Sequence, residues 1–248
     1  MDTIIETVNL TRRYGRQTAV TGLNLQVKKG EIFGFLGPNG AGKTTTLLML
    51  LGLSRPTEGT ATVCGLDPVR MAREVKRLVG YLPENVGFYR EMDAVQSLEY
   101  VASLNGFEGA GARKKIEELL DLVGLGEESG KKTAAFSRGM KQRLGVAEVL
   151  IKDPQVLFLD EPTLGLDPEG AVQLINLIQT LNREKGMTVL LSSHNLHQVQ
   201  KISHRVGIMI DGKLIAEGSI DSLAEEKFGL DQKEYSLEEI YMKYFQEV

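Results

Sequence analysis

Gly37-Pro38-Asn39-Gly40-Ala41-Gly42-Lys43-Thr44-Thr45 fits the Gly-x-x-x-x-Gly-Lys-[Ser/Thr] spacing of a phosphate-binding loop. Its flanks fit too. Glu31 to Leu36 reads as a buried strand entering the loop, and Thr44 to Leu53 as a Leu- and Met-rich helix leaving it. A strand, a glycine loop and a helix start form an anion site, because backbone N–H groups and the positive helix end converge there. Gly40 and Gly42 let the backbone approach a ligand without a β-carbon in the way. Lys43 is placed to reach the β and γ phosphates of a nucleotide, and the Thr44 hydroxyl to ligate Mg²⁺. The alternative, a glycine turn with a chance lysine, does not account for the flanks.

The rest of the chain sets bounds on this reading. Its 248 residues make one large domain, or a core with a smaller lobe. The formal net charge of −4 does not suggest a broad nucleic-acid-binding surface, so no nucleic-acid partner is expected. Cys64 is the only cysteine, which excludes an internal disulfide and a cysteine metal cluster. The N-terminal stretch carries Asp2 and Glu6 with no apolar segment, so it does not read as a secretory signal. No apolar run approaches a membrane span. Work at a membrane would therefore need a partner.

Ile4–Leu10 and Val20–Val27 read as strands, with the stretch Thr11 to Gly15 as a loop between them. Tyr14 in that loop is either an ordinary half-buried tyrosine or a platform for an adenine ring, since every base offers a π face. Glu58 to Cys64 is a further strand, Arg73 to Arg77 a helix, and Val79 to Pro83 a short buried strand stopped by proline. Glu84 follows at the mouth of that strand. From about 88 to 135 the strand signal disappears. Asp93 caps a helix through Ala94–Leu104, Gly109 to Gly111 forms a flexible break, and Ala112 to Val123 is a second helix with Ile116, Leu119, Leu120 and Val123 on one face. This reads as a separate helical lobe. Ser137 is then an N-cap for a buried helix, a second helix start able to hold an anion.

Val156 to Leu159 is an apolar strand running into the carboxylates Asp160 and Glu161. At the strand tip Asp160 can hold Mg²⁺ opposite Thr44, and Glu161 can orient or deprotonate an attacking water. Asp167-Pro168 begins a helix, with Asp as N-cap and Pro at the first helical position. Leu174, Ile175, Leu177, Ile178 and Leu181 form its buried face. Met187 to Leu191 is a strand closed by Ser192-Ser193-His194. His194 ends its strand as Asp160 does, so it can face the same site, although a lone histidine is more often structural. Val206–Ile210 and Lys213–Ala216 flank an Asp211-Gly212 hairpin turn. The tail from Tyr235 to Val248 is amphipathic. Ser236 and Glu239 match a capping box, and Leu237, Ile240, Tyr241, Tyr244, Phe245 and Val248 share a face. Docking on its own domain and contact with a partner are the two uses for that face.

Taken in order, these motifs resemble the ATP-binding subunit of an ABC transporter, over nearly the whole chain from Tyr14 to His194. The loop at 37–45 and Leu157 to Glu161 match the Walker A and Walker B motifs of that family. Tyr14 matches its adenine-stacking aromatic, Glu84 its Q-loop position, Ser137-Arg138-Gly139-Met140 its signature, Asp167 its D-loop and His194 its switch histidine. There are two departures. Glu84 stands where the family usually has Gln, and Phe-Ser-Arg-Gly-Met stands where it usually has Leu-Ser-Gly-Gly-Gln. The Tyr81-Leu82-Pro83-Glu84 segment and the Ser137-to-Leu144 segment look like the branch serving ABC-2-type exporters.

The resemblance implies an α/β fold. It would have a RecA-like P-loop NTPase core with an antiparallel β lobe (1–83 and 153–220), a helical lobe with the signature (84–152) and a C-terminal helical tail (221–248). It implies ATP and Mg²⁺ as ligands. Tyr14, Gly37, Pro38, Asn39, Gly40, Ala41, Gly42, Lys43, Thr44 and Thr45 would bind ATP. Thr44, Asp160 and Glu84 would hold the metal, and Lys43, Glu161 and His194 would serve catalysis. Ser137, Arg138, Gly139 and Met140 would face the ATP of a second chain, in an ATP-dependent homodimer or a heterodimer with a similar ATPase. The implied partner is a separately encoded transmembrane permease, which would hold the protein on the cytoplasmic face of the cell membrane. The rival is a soluble ABC ATPase outside transport. The DNA-repair type carries a long coiled coil between the Walker halves, and the translation type carries two ATPase domains. This chain has room for neither. Intact Lys43, Asp160, Glu161 and His194 weigh against a regulatory module without turnover.

Overall fold

The computed structural model describes residues 2–229 and 235–246. Strands β1 (Thr3–Tyr14) and β2 (Gln17–Lys28) form a long antiparallel hairpin. Strand β4 (Glu58–Val63) pairs with the other edge of β1, giving a sheet of order β2-β1-β4. The expected loop at Thr11 to Gly15 is thus mostly strand: Arg12 pairs with Val20, Arg13 with Thr18 and Tyr14 with Gln17. Only Gly15 and Arg16 turn the chain, and Gly15 takes the positive φ of 59° that such a tight reversal requires. Polar residues on the solvent side of the hairpin conceal the strand continuation in the sequence.

The second sheet has six strands in the order β5-β6-β7-β3-β8-β9. β3 (Ile32–Leu36), β5 (Val79–Leu82), β6 (Val156–Asp160), β7 (Thr188–Ser193) and β8 (Arg205–Ile210) run parallel. β9 (Lys213–Gly218) closes the edge as the antiparallel half of the expected hairpin. β3, β6 and β7 are buried at every position, which is why they read as apolar runs without alternation. Their side chains still alternate in direction. Phe33, Phe35, Phe158 and Leu190 face the β1–β2–β4 sheet, where they join Ile5, Leu10, Val20 and Leu25. Leu36, Leu157, Leu159, Val189 and Leu191 face a layer of helices.

α1 (Lys43–Leu50) and α2 (Ala72–Leu78) lie with the first group. The other face carries α3 (Ala94–Leu104), α4 (Gly109–Leu122), a 3₁₀ turn at Thr133–Ala135, α5 (Arg138–Leu150), α6 (Pro168–Lys185) and α7 (Leu196–Ile202). Asp93 caps α3 in a full capping box with Gln96, and Ser137 caps α5. The expected break at Gly109 to Gly111 is not there, because α4 begins at Gly109. Asp167 sits at the N-cap of α6 with Pro168 at the first turn, as expected, but its side chain makes no capping bond.

α8 (Ile220–Phe228) and α9 (Leu237–Gln246) complete the described chain. Leu237, Ile240 and Tyr244 of α9 are buried in the same cluster as β6 and β7, so the tail helix docks on its own domain. Phe245 is 46% exposed and does not share the buried face expected for it. Val248 lies outside the described residues. Among the described residues no helix is long and apolar enough to cross a membrane.

Candidate active site

The carboxyl ends of three neighbouring parallel strands meet at one point. β6 delivers Asp160 and Glu161, β7 delivers Ser192 and His194, and β3 runs into the loop that ends at Lys43. In open α/β sheets this is the edge where ligands bind. Gly42 stands at the N-cap of α1 with φ 104° and supplies no side-chain cap, so the first-turn N–H groups of α1 are left for an anion. A β-carbon on Gly42 would stand 2.4 Å from the Ala19 carbonyl oxygen of β2, a clash with backbone that excludes any larger residue.

Lys43 is 5% exposed and folds back over its own loop. Its Nζ donates to the Gly37 carbonyl at 2.7 Å and the Pro38 carbonyl at 3.2 Å, and lies 3.3 Å from Glu161 Oε1. Thr44 Oγ1 donates to Asp160 Oδ1 at 3.1 Å, the pairing expected of the two metal candidates. Ser192 Oγ also donates to Asp160 Oδ1, at 2.5 Å, and accepts the Glu161 N–H at 3.1 Å. Tyr81 on β5 adds a further group. Burial, followed by the nearby Asp160 charge and a hydrogen bond to it, pushes the Tyr81 phenol up to about 12. It therefore stays a neutral donor.

Glu161 takes φ 47°, a left-handed conformation that costs a non-glycine residue about 1–3 kcal/mol. Hydrogen bonds from its N–H to Ser192 Oγ and to the Ser192 carbonyl, both 3.1 Å, hold it there. Its Oε2 accepts from His194 Nδ1 at 2.9 Å and from the His194 N–H at 3.3 Å. Nδ1 is thus the ring nitrogen that faces the Glu161 carboxyl. Glu161 Oε1 is buried and, although close to Lys43, has no donor in hydrogen-bonding line. Such an orphaned acceptor fits a site built for a further polar ligand. Gly40 supports the same fit, since nothing lies within 4 Å of where its β-carbon would be and the loop stays open above it.

Ser192 and Tyr81 complete the cluster and were not singled out from sequence. Their signal is register: Ser192 pairs with Asp160 and Tyr81 with Phe158, which only strand order reveals. Other expected residues stand apart. Tyr14 is 46% exposed, with Arg12 stacked 4.3 Å from its ring centre and its hydroxyl 3.1 Å from Ser54 Oγ, just beyond α1. Those two contacts, that to Ser54 first, lower its pKa. Glu84 is exposed and makes no hydrogen bond or ion pair among the described residues. No group of three His, Cys, Asp or Glu suited to a metal occurs among them. Ser137 Oγ accepts the Met140 N–H at 3.2 Å. Among the described residues no hydrogen bond or ion pair joins Ser137, Arg138, Gly139, Met140 or Asp167 to the Lys43 cluster.

The family model described as "ABC transporter" matches residues 20–164. The bacitracin transport ATP-binding protein BcrA of Bacillus licheniformis is 44% identical over 90% of this chain and 72% of its own length. This chain belongs to the ABC transporter family. It is an ATP-binding and ATP-hydrolysing subunit that powers a transporter. The Nod factor export ATP-binding protein I of Burkholderia orbicola is another relative, 37% identical over 90% of this ATPase and 73% of itself. Among solved structures, an ATP-binding subunit of an ABC transporter superposes with a TM-score of 0.86 at 29% identity, covering 98% of this ATPase and 100% of that chain. A dimeric ATP-binding cassette in a post-hydrolysis state with ADP and phosphate gives 0.77 at 25% identity, over 87% and 98%.

Proposed function

We propose that this ATPase drives an exporter, that two chains close over two ATP molecules, and that Glu161 acts on the attacking water. The observation that carries the proposal is the chain from buried Lys43 through buried Glu161 to exposed His194, beside the Thr44–Asp160 pair. Lys43 and the N–H groups of residues 40–45 bind the phosphates, and Tyr14 offers the ring face not covered by Arg12 to the adenine. Thr44 and Asp160 would hold Mg²⁺, which when bound neutralises phosphate charge. Glu84, which makes no hydrogen bond or ion pair among the described residues, is the further oxygen donor available to it. Glu161 accepts the proton of the water, and His194 holds its carboxylate in place. The signature residues Ser137, Arg138, Gly139 and Met140, with Asp167, serve the ATP of the other chain. Among the described residues no hydrogen bond or ion pair joins them to the Lys43 cluster of their own chain, and a dimeric cassette is among the similar structures.

Regions 1–83 with 153–220, 84–152 and 221–248 divide this work between ATP binding, signature and tail. The partner is a separately encoded permease, which holds the ATPase on the cytoplasmic face of the membrane. Export rests on the relative named for Nod factor export. The test of the site is Glu161→Gln. Steady-state ATP turnover should fall by about 10²–10⁴ with ATP binding retained. Near-normal turnover would end the assignment.

A further inference from the structure

Arg138 stands where the family's signature has a small residue, and the structure shows what its side chain does. The turn Pro162–Leu166 leaves Glu161 and leads to α6. It is closed by hydrogen bonds from the Leu164 N–H to the Glu161 carbonyl at 3.1 Å and from the Leu166 N–H to the Thr163 carbonyl at 3.2 Å. Gly165 in this turn has φ 70°. A β-carbon built on it would stand 2.6 Å from Arg138 Nη1 and 2.8 Å from Arg138 Cζ. The planar guanidinium thus lies directly over Gly165, and it forms no ion pair among the described residues. Leu166 lies near the next residue of the signature, since a β-carbon built on Gly139 would stand 4.0 Å from its Cδ2. At a second point the turn is fastened by a hydrogen bond from Thr163 Oγ1 to Gln198 Oε1. Gln198 lies in the first turn of α7, where Asn195, the residue after His194, caps its N–H.

We propose that Arg138 and Gln198 are positioning residues that clamp the turn Pro162–Leu166 at two points, Gly165 and Thr163. The clamp ties the loop after Glu161 to the signature helix α5 and to the helix after His194. Besides standing in the signature offered to the other chain's ATP, Arg138 acts in this way within its own chain, and Gly165 leaves room for its guanidinium. The clamp positions the turn hanging from Glu161, so it bears on the hydrolytic step and not on ATP capture by residues 37–45. In this respect it rests on the reading of Glu161 given above.

The test is a pair of backgrounds. Gly165→Asn keeps a residue that tolerates positive φ but places a side chain where the guanidinium lies. With Arg138 present, it should lower kcat about tenfold, within the range for groups in contact, and leave KM for ATP within about twofold. In an Arg138→Gly background the same change should lower kcat less than twofold. Equal losses in both backgrounds, or no loss in either, would overturn the proposal. Urea midpoints show whether each variant is folded. If Gly165→Asn does not fold, amide hydrogen exchange of residues 163–166 in nucleotide-free Arg138→Gly and Gln198→Ala decides. Exchange there should speed up about tenfold in each variant, and unchanged protection in both would overturn the clamp. Glu161→Gln is run beside them. Should it keep turning over ATP, the catalytic reading fails, while the exchange result still judges the clamp.

Discussion

Lys43 is held by carbonyl oxygens at 2.7 and 3.2 Å and by a carboxylate at 3.3 Å, all inside a buried pocket. A phosphate offers its ammonium a stronger charge than the carbonyls do, so ATP competes well for it. Drawing Lys43 toward phosphate frees Glu161 from its cation and leaves His194 as its fixed partner. The placement of Asp160 and Glu161 in this cluster was legible in the sequence because an apolar strand ends in them. Ser192 and Tyr81 were not, because each is defined by which strand lies beside β6. A titratable group outside this cluster yields a pH prediction. Burial raises the Glu148 carboxyl on α5 above its usual range. Its folded pKa therefore exceeds its unfolded one, and ionised Glu148 destabilises the fold above the folded pKa. That penalty fades as pH falls through the folded pKa and vanishes below the unfolded value, about 4.3. Glu148→Gln should raise Tm at pH 8 by roughly 2–4 °C, and the gain should shrink toward pH 4. A gain that is flat with pH, or a loss at pH 8, would refute the sign.

At the scale of elements, α9 carries the clearest stability claim. Ile240 is fully buried against α7 and α8, and Ser236 caps the helix with Glu239 in the expected box. Ile240→Ala should cost about 2–5 kcal/mol in urea unfolding, the range for a large-to-small change in a packed core. A change under about 0.5 kcal/mol would mean that the tail helix adds nothing to the fold. Helices α3, α5 and α6 were readable from caps and 3.6-residue periodicity, and β3 and β6 from apolar runs. The continuation of β1 through Tyr14 was not. Arg12 is half-buried and Arg13 and Tyr14 are both exposed, so no alternation marks the strand, and pairing with Gln17 to Val20 supplies what local propensity does not. The start of α4 at Gly109 was hidden for a related reason, because packing of Ile116, Leu119 and Leu120 sets that helix and outweighs its glycines.

The whole molecule presents an unequal division. Lys43, Asp160, Glu161 and His194 converge, while Ser137 caps an exposed helix start and, among the described residues, makes no hydrogen bond or ion pair to any of them. The overall architecture followed from the order of motifs. The pairing of sites between chains does not show in one chain, since each half of such a site looks incomplete alone. In the proposed dimer, a second copy would turn that incompleteness into a shared site closed against water. Mixing a Lys43→Ala chain with a Ser137→Arg chain, each inactive alone, measures this directly. One site of the mixed dimer holds both lesions, and the other joins an intact phosphate loop to an intact signature. The account predicts that ATP-dependent dimers, absent from either variant alone, return on mixing in size-exclusion chromatography. No dimers from the mixture, under conditions where the wild type forms them, would contradict it.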